Sequence, residues 1–185
     1  MVVLGIDPGT LVTGYGIIEG RKGNMRMISS GAIRNTVRTP MPLRLKHIFE
    51  TLSEIIDEYR PDEFAIETAF YGKNAQSALK LGHARGVALL VAVTRNIPTH
   101  EYSPREVKKA IVGKGSASKE QVQYMVRSLL CIKDSPKQYD ITDALAVSIC
   151  HFHRMHNGVR SSPATWKSFV SAHPERVAGT RVKRS

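Results

Sequence analysis

Four acidic residues occupy positions from which their carboxylates could do chemistry together. Asp7 ends one apolar run at the start of the chain, and Glu67 ends a second apolar run over residues 64–66. A carboxylate at the end of a buried strand loses hydration unless a partner compensates its charge. Asp140 and Asp143 are three residues apart, so on a helix both would project from one face. The pattern predicts that two strand ends and one helical turn bring all four acids into one site.

Clustered carboxylates repel one another, and a divalent cation is their natural compensation. Ligands that are all oxygen favour Mg²⁺ or Mn²⁺ over zinc. Two such ions about 3.5–4 Å apart can activate a water and stabilise the leaving oxygen of a phosphodiester. Taken singly, Asp140 could be a helix N-cap, Asp7 a turn residue and Glu67 the partner of a lysine. On the residues alone, the catalytic and the structural interpretations both stay open.

The elements that would position these acids follow from hydrophobic periodicity. The predicted strands cover residues 2–7, 14–19, 25–34, 62–68 and 98–102. Helices are predicted at 42–59, 74–96, 118–130 and 138–155, and one more begins at a capping box formed by Ser103 and Glu106. Strands clustered early, followed by alternation with helices, indicate the α/β class. Gly82 and Gly86 could permit close helix packing, here against a second subunit.

The charge of the chain favours a polyanionic partner. Its 27 Lys and Arg against 16 Asp and Glu give a net charge of +11, which points to nucleic acid. Residues 157–185 are basic and lack periodicity, so we expect a folded domain over residues 1–156 and a disordered tail over 157–185. No apolar stretch reaches membrane length, and two cysteines form no disulfide framework. We therefore expect a cytoplasmic protein with no membrane partner.

Five sequence blocks resemble the RuvC family of bacterial Holliday junction resolvases. They are G-I-D-P-G-T-x-x-T-G-Y-G from Gly5, F-A-I-E from Phe64, K-N-A-x-S-A-L-K-L-G-x-A-R-G-V-A from Lys73, V-G-x-G-S-A-x-K from Val112 and D-x-x-D-A-L-A from Asp140. A lone D-P-G-T would be weak evidence, but five blocks in the correct order are specific. The resemblance covers about residues 1–155 and leaves only the tail unmatched.

The resemblance implies a ribonuclease-H-like mixed sheet flanked by helices. It also implies a homodimer that makes paired symmetric nicks in a four-way DNA junction during recombination and repair. Asp7, Glu67, Asp140 and Asp143 match the family's catalytic, metal-binding acids, which implies two Mg²⁺ ions per subunit, with Mn²⁺ as a substitute. At the third position some relatives place His where this sequence has Asp140. A RuvA-RuvB branch-migration complex is a further partner that the resemblance suggests.

The resemblance extends to residues that would contact DNA. Lys108 and Lys119 match basic positions near the scissile phosphate, although solvated surface charge is the alternative for each. Phe70 and Tyr71 follow the Glu67 strand at a predicted loop, where an aromatic ring could stack on an unpaired base for roughly 1–3 kcal/mol. Core packing is the alternative for these rings. Lys73, which opens the third block, completes the predicted DNA contacts.

Two other functions compete with a nuclease. An ATP-handling relative of actin or the sugar kinases also uses a D-x-G-T hairpin, but that fold needs a duplicated domain for which 185 residues offer no room. A DNA-binding module without catalysis would explain the charge but not the four acids, which weaken DNA affinity unless metals occupy them. The run Cys150, His151 and His153, with Cys131 far upstream, fits no compact zinc finger, so we do not predict zinc there.

Overall fold

A computed structural model of the chain describes residues 1–21, 24–68, 75–132 and 139–156. Contacts divide the chain into one unit over Met1–His153 and a second over Arg154–Ser185. The fold below is that of the first unit. The predicted tail, residues 157–185, lies outside the described residues, so its disorder and the boundary at residue 156 stay predictions.

Five strands form one mixed sheet. They are β1 (Val2–Asp7), β2 (Val12–Arg21), β3 (Asn24–Arg34), β4 (Glu63–Glu67) and β5 (Thr99–Tyr102). Their order across the sheet is β3-β2-β1-β4-β5. The β1–β2 and β2–β3 pairs are antiparallel, whereas β1–β4 and β4–β5 are parallel. β1 and β4 are therefore neighbours whose carboxyl ends meet at the same edge.

Helices cover both faces of this sheet. They are α1 (Met41–Tyr59), α2 (Ala75–Val93), α3 (Pro104–Val112), α4 (Lys119–Leu129) and α5 (Tyr139–His156). One core joins α1 and α2 to the face that carries Phe64 and Ile66. The other joins α3, α4 and α5 to the face that carries Ala65 and Tyr102. The predicted mixed α/β sheet flanked by helices is confirmed. None of the helices in the described residues is long and apolar enough to cross a membrane.

α5 lies unusually close to the sheet because glycines of β1 and β2 face it. A Cβ added at Gly14 would collide with the backbone carbonyl oxygen of Asp140, and one added at Gly5 would collide with Ser148. The Ser148 hydroxyl donates to the Gly16 carbonyl oxygen at 2.8 Å. These contacts fix the height and register of α5 on the strands.

Two capping boxes fix where α3 and α4 begin. The Ser103 hydroxyl accepts from the Glu106 backbone N–H at 3.3 Å, and the Glu106 carboxylate accepts from the Ser103 backbone N–H at 2.9 Å. Ser118 and Gln121 make the same reciprocal pair at the start of α4. Each box satisfies two backbone donors that a helix start leaves open. The first box was predicted from the sequence and is confirmed.

Candidate active site

Two of the predicted acids meet at the edge where β1 and β4 end. Ile6 pairs with Ile66 in the parallel register, which sets Asp7 and Glu67 side by side at the following position. Their carboxyl groups share a hydrogen bond. The sheet topology alone thus brings together two acids that are 60 residues apart in the sequence.

The start of α5 supplies the other two acids. Asp143 lines the same cavity as Asp7 and Glu67. Asp140, one turn earlier, is not among the residues that line it, but its charge raises the pKa of both Asp7 and Asp143. The close approach of Gly14 to the Asp140 backbone holds this first turn of α5 over the strands. Asp140 therefore stands beside the cavity rather than in its wall.

Two lysines share the cavity with the acids. Its volume is about 260 Å³, and its walls are Asp7, Glu67, Pro104, Val107, Lys108, Lys119, Val122 and Asp143. The Lys119 ammonium donates to Asp143 Oδ2 at 3.2 Å. Lys108 comes from the second turn of α3 and Lys119 from the first position of α4, so these two helices set their places. Both lysines line the same cavity as the acids, and their predicted phosphate contact stays a prediction.

Burial first, and the charges of neighbouring acids second, make these acids hard to ionise. Burial, and then the charges of Glu67, Asp143 and Asp140, raise the pKa of Asp7 to about 8. Burial and the charge of Asp143 raise the pKa of Glu67 to about 7. Burial also raises the pKa of Asp143, although the charge and hydrogen bond of Lys119 oppose it. The charges of Lys119 and Lys108 offset this only in part, and a donor set made only of oxygen suits a hard divalent cation as further compensation.

The charges of the acids also change the pKa of Lys119. Burial disfavours the charged form of Lys119, but the charge and hydrogen bond of Asp143 outweigh burial and raise the pKa of the ammonium. Lys119 therefore carries a positive charge at neutral pH. Tyr139 stands near it, with the ring centroid 5.7 Å from the Lys119 nitrogen.

Three predicted DNA contacts cannot be placed. Phe70, Tyr71 and Lys73 lie outside the described residues, so their roles stay predictions. The structure brings Asp7, Glu67, Asp143, Lys108 and Lys119 around one cavity. Their roles as metal ligands, catalytic acids and phosphate contacts stay predictions.

A second group of side chains could hold a metal ion, and the sequence did not predict it. Within the described ranges, one ligand atom each of Glu63, His100 and His151 lie within 4.8 Å of one another. Glu63 opens β4, His100 is in β5 and His151 is in α5. The three are separated by 37 and 51 residues, so no spacing in the sequence signals them. The only local sign was a histidine in an otherwise apolar stretch of the last helix.

Comparisons with known proteins agree with this geometry. A family model described as crossover junction endodeoxyribonuclease RuvC matches residues 3–151. The protein of that name from Chlorobium phaeovibrioides is 46% identical over 188 residues, which covers 96% of this chain and 100% of the relative. The one from Shewanella sp. strain MR-4 is 51% identical over 152 residues, covering 82% and 87%. The structure of Thermus thermophilus RuvC in complex with Holliday junction substrate matches with a TM-score of 0.79 at 33% identity, covering 84% of this chain and 96% of that one.

The fold and the acid-lined cavity at its strand ends define a ribonuclease-H-like nuclease of the resolvase class. The extent and identity of the matches make the family specific: the chain belongs to the RuvC family of crossover junction endodeoxyribonucleases. The resemblance found in the five sequence blocks is thereby confirmed.

Proposed function

We propose that this chain is a Holliday junction resolvase, an endonuclease that makes paired symmetric nicks in four-way DNA junctions in the cytoplasm. The observation that carries the proposal is the single cavity into which Asp7, Glu67 and Asp143 project together with Lys108 and Lys119. Acids that favour a cation next to lysines that favour a phosphate are the two halves of a site for metal-assisted phosphodiester hydrolysis. Membership in the RuvC family supports the choice of substrate.

We infer that Asp7, Glu67 and Asp143 hold Mg²⁺, and that Asp140 completes the set from beside the cavity. The donor set fits the ion, because partly buried carboxylates that raise the pKa of Asp7 to about 8 gain most from a divalent charge. We further propose two Mg²⁺ ions per subunit, with Mn²⁺ as a substitute, which is what the resemblance to the family implies. When bound, such ions supply Lewis-acid stabilisation of the charge that develops on the phosphodiester.

The lysines would orient the DNA strand. Lys119 holds the Asp143 carboxylate through its hydrogen bond at 3.2 Å and remains charged, so it can bind a phosphate oxygen beside the acids. Lys108 offers a second ammonium from another wall of the cavity. The first position of α4 adds the positive end of a helix dipole near Lys119. These groups position the phosphodiester and need not exchange a proton with it.

A homodimer would supply the second nick, and α2 carries a face suited to it. Leu79, Gly82, Gly86, Leu90 and Val93 recur at steps of three and four residues, which places them on one side of the helix. Leu79 is 62% and Leu90 54% exposed. A Cβ at Gly82 or Gly86 would have no atom within 4 Å. We call these five residues the α2 face and propose that two copies pack there, so that two sites meet the two-fold symmetric junction. A RuvA-RuvB complex remains a further predicted partner.

The decisive experiment compares junction and duplex. The protein is incubated with a four-way junction and with linear duplexes of the same sequence, with and without Mg²⁺. We expect paired nicks in the junction only when Mg²⁺ is present. Asp7→Asn should abolish cleavage and retain junction binding, since the lysines that bind phosphate are untouched. The matched control is Asp57→Asn, an exposed acid paired with Arg95 on the far side of the sheet, which should cut as the wild type does.

Two results would contradict the proposal. Cleavage of linear duplex as fast as the junction would show that the protein does not select four-way junctions. Hydrolysis of ATP, or junction binding without any metal-dependent nicking, would favour one of the rival functions instead.

A further inference from the structure

The group formed by Glu63, His100 and His151, which we call the histidine site, lies on the face of the sheet that α5 covers. Ala65 pairs with His100 and Glu67 with Tyr102. Because side chains alternate along a strand, Glu63 shares its face with Glu67, and His100 shares that face with Tyr102. His151 approaches the same point from α5. Three separate elements therefore converge on one spot.

The two imidazoles point at one carboxylate oxygen. The Nε2 atom of His100 lies 3.0 Å from Glu63 Oε2, and the Nε2 atom of His151 lies 3.7 Å from the same oxygen. The two rings are close, with centroids 4.4 Å apart. Ligands at zinc–nitrogen and zinc–oxygen distances of about 2.0–2.2 Å stand roughly 3.3 Å apart in a tetrahedron. The observed separations bracket that value, so small side-chain rotations would complete a coordination sphere.

The orientation of His151 is fixed by a neighbour that leaves its ligand atom in place. The Tyr102 hydroxyl lies 2.7 Å from His151 Nδ1, and His151 is fully buried with Tyr102 nearly so. When Nδ1–H donates to the tyrosine oxygen, Nε2 carries the lone pair toward Glu63. An outer hydrogen bond of this kind is how proteins orient a histidine that binds a metal.

We propose that Glu63, His100 and His151 bind one divalent cation of the zinc type, in a site separate from the acids that cut DNA. Two imidazoles and one carboxylate match the ligands of Zn²⁺, whereas Mg²⁺ prefers oxygen alone. The His100 side chain is 39% exposed, which gives the ion a path from solvent and leaves room for water at the remaining position. The alternative is a simple hydrogen bond between Glu63 and His100. That alternative does not explain why His151 also directs its Nε2 atom at Glu63 Oε2.

The histidine site and the acid site share elements but no ligands. Glu63 precedes Glu67 by four residues of strand, about 13 Å. His151 follows Asp143 by eight residues of helix, about 12 Å. A cation in the histidine site would therefore link β4 and β5 to α5 at about 12–13 Å along these elements from the proposed catalytic acids. It should stabilise the fold, and it does not depend on the nuclease function.

Zinc content and thermal unfolding test the site directly. The full chain is equilibrated with Zn²⁺ in an excess of Mg²⁺, which occupies oxygen-only sites, and freed of unbound ions before metal analysis. We expect one tightly held zinc per chain and a rise in Tm on adding Zn²⁺ that the same concentration of Mg²⁺ does not produce. His100→Asn and Glu63→Gln should each lose the bound zinc and most of the zinc-induced rise. The readout is the shift within each variant, so a general loss of stability does not imitate it.

His83→Asn provides the matched control, because His83 is an exposed histidine on α2 and should keep the wild-type zinc content. Substituting Co²⁺ into wild-type protein should give the strong visible absorption of a four-coordinate site with nitrogen ligands, and His100→Asn should lose it. A wild type that neither retains zinc nor gains Tm overturns the proposal. So does a His100→Asn protein with unchanged zinc content, since the ion would then be held elsewhere. Neither of these results bears on the proposed nuclease function, which junction cleavage tests separately.

Discussion

Asp7 and Glu67 carry carboxyl groups whose charged forms the fold disfavours. Both carboxyl groups sit at strand ends that the topology forces together, and the pKa values of about 8 and about 7 record the resulting strain on their charged forms. A residue chosen only for folding would not be an acid at either position. The proposed catalytic role and the stability of the fold therefore oppose each other at these two residues.

Asp7→Asn should stabilise the metal-free protein, and increasingly so at higher pH. The folded state raises the pKa of Asp7 from 3.8 to about 8, so the folded chain holds a proton that the unfolded chain releases. That contribution to the free energy of unfolding is present below about pH 4 and is lost as pH rises through 8. A neutral amide avoids the loss. Thermal unfolding with a chelator from pH 5 to 9 should show a growing gain of several degrees, since about 1 kcal/mol shifts Tm by roughly 2–4 °C at this size.

Asp57→Asn is the control with the opposite sign. The hydrogen bond from Arg95 lowers the pKa of Asp57, so its charged form favours the folded state above the ordinary carboxyl pKa, and neutralising it should cost a little stability at neutral pH. An Asp7→Asn protein less stable than the wild type at pH 9 would contradict this account of the acid site.

Mg²⁺ should displace protons from the site. Between pH 6 and 9 the raised pKa values of Asp7 and Glu67 mean that protons and cations compete for the same oxygens. We expect the affinity for Mg²⁺ to increase with pH across this range and binding at pH 7 to release protons. Titration calorimetry in two buffers of different ionisation enthalpy measures the release. Equal heats in the two buffers would mean that the acids are already ionised in the free protein.

At the scale of elements, the approach of α5 to the sheet decides the shape of the site. Gly14 leaves room for the backbone of Asp140, and Gly5 leaves room for Ser148. The helix that carries half of the acids is therefore placed by residues that have no side chain at all. The site should therefore lose its geometry when α5 cannot pack closely on the sheet, even if all four acids are present.

Gly14→Ala should disable cleavage without removing any charged group. The added methyl collides with the Asp140 carbonyl oxygen, which is backbone and cannot rotate away, so the first turn of α5 must lift from β2. A displacement of about 1 Å can cost on the order of 100-fold in rate, and we expect a loss of that size in junction cleavage under Mg²⁺. Circular dichroism should show that helix content is kept. Cleavage at the wild-type rate would mean that α5 tolerates the shift.

The elements were predictable because each has a strong local pattern. β1 and α1 follow directly from an apolar run and from apolar residues at three- and four-residue steps, and the start of α3 follows from its capping box. β2 extends from Val12 to Arg21, beyond the predicted 14–19, because its antiparallel pairing with β3 continues at both ends past the residues that pair with β1. Pairing partners are tertiary information that a local pattern does not contain.

The candidate site was predictable in part for the same reason. Asp7 and Glu67 each end an apolar run, the motif blocks contain Asp143 and Lys119, and Lys108 was predicted only because it matches a basic position of the family. That Asp140 stands beside the cavity depends on the rotation of α5 about its axis, which spacing alone does not fix. The histidine site depends on the β4–β5 register and on α5 crossing it, so no sequence pattern could have revealed it.

At the scale of the molecule, symmetric nicking requires two sites held at a fixed separation. The α2 face offers apolar residues and two glycines with open space before them. Packing this face against the same face of a second copy would make an isologous contact, in which both subunits use the same residues across a two-fold axis. A four-way junction has the same symmetry.

Leu90→Glu should convert the protein into a monomer. Two copies would bring buried carboxylates together at the centre of the α2 face, which is strongly unfavourable. Leu43→Glu on α1 is the matched control, because Leu43 is 55% and Leu90 54% exposed. Sedimentation should report a dimer for the control and a monomer for Leu90→Glu, whose products should shift from paired to single nicks. A dimer that survives Leu90→Glu would place the interface elsewhere.

The burial of α5 has a consequence for how long the catalytic geometry persists. Ten of its residues, Thr142 and Ala144 to Phe152, are buried between the sheet and the α3–α4 pair. Amide hydrogens in such a segment exchange with solvent only when the whole domain opens. Asp143 is half-buried between Thr142 and Ala144 of this stretch, while Lys119 begins the more exposed α4. The spacing of the acids should then persist for the lifetime of the folded state. The lysine side chains should be the part of the site that moves as DNA binds and dissociates.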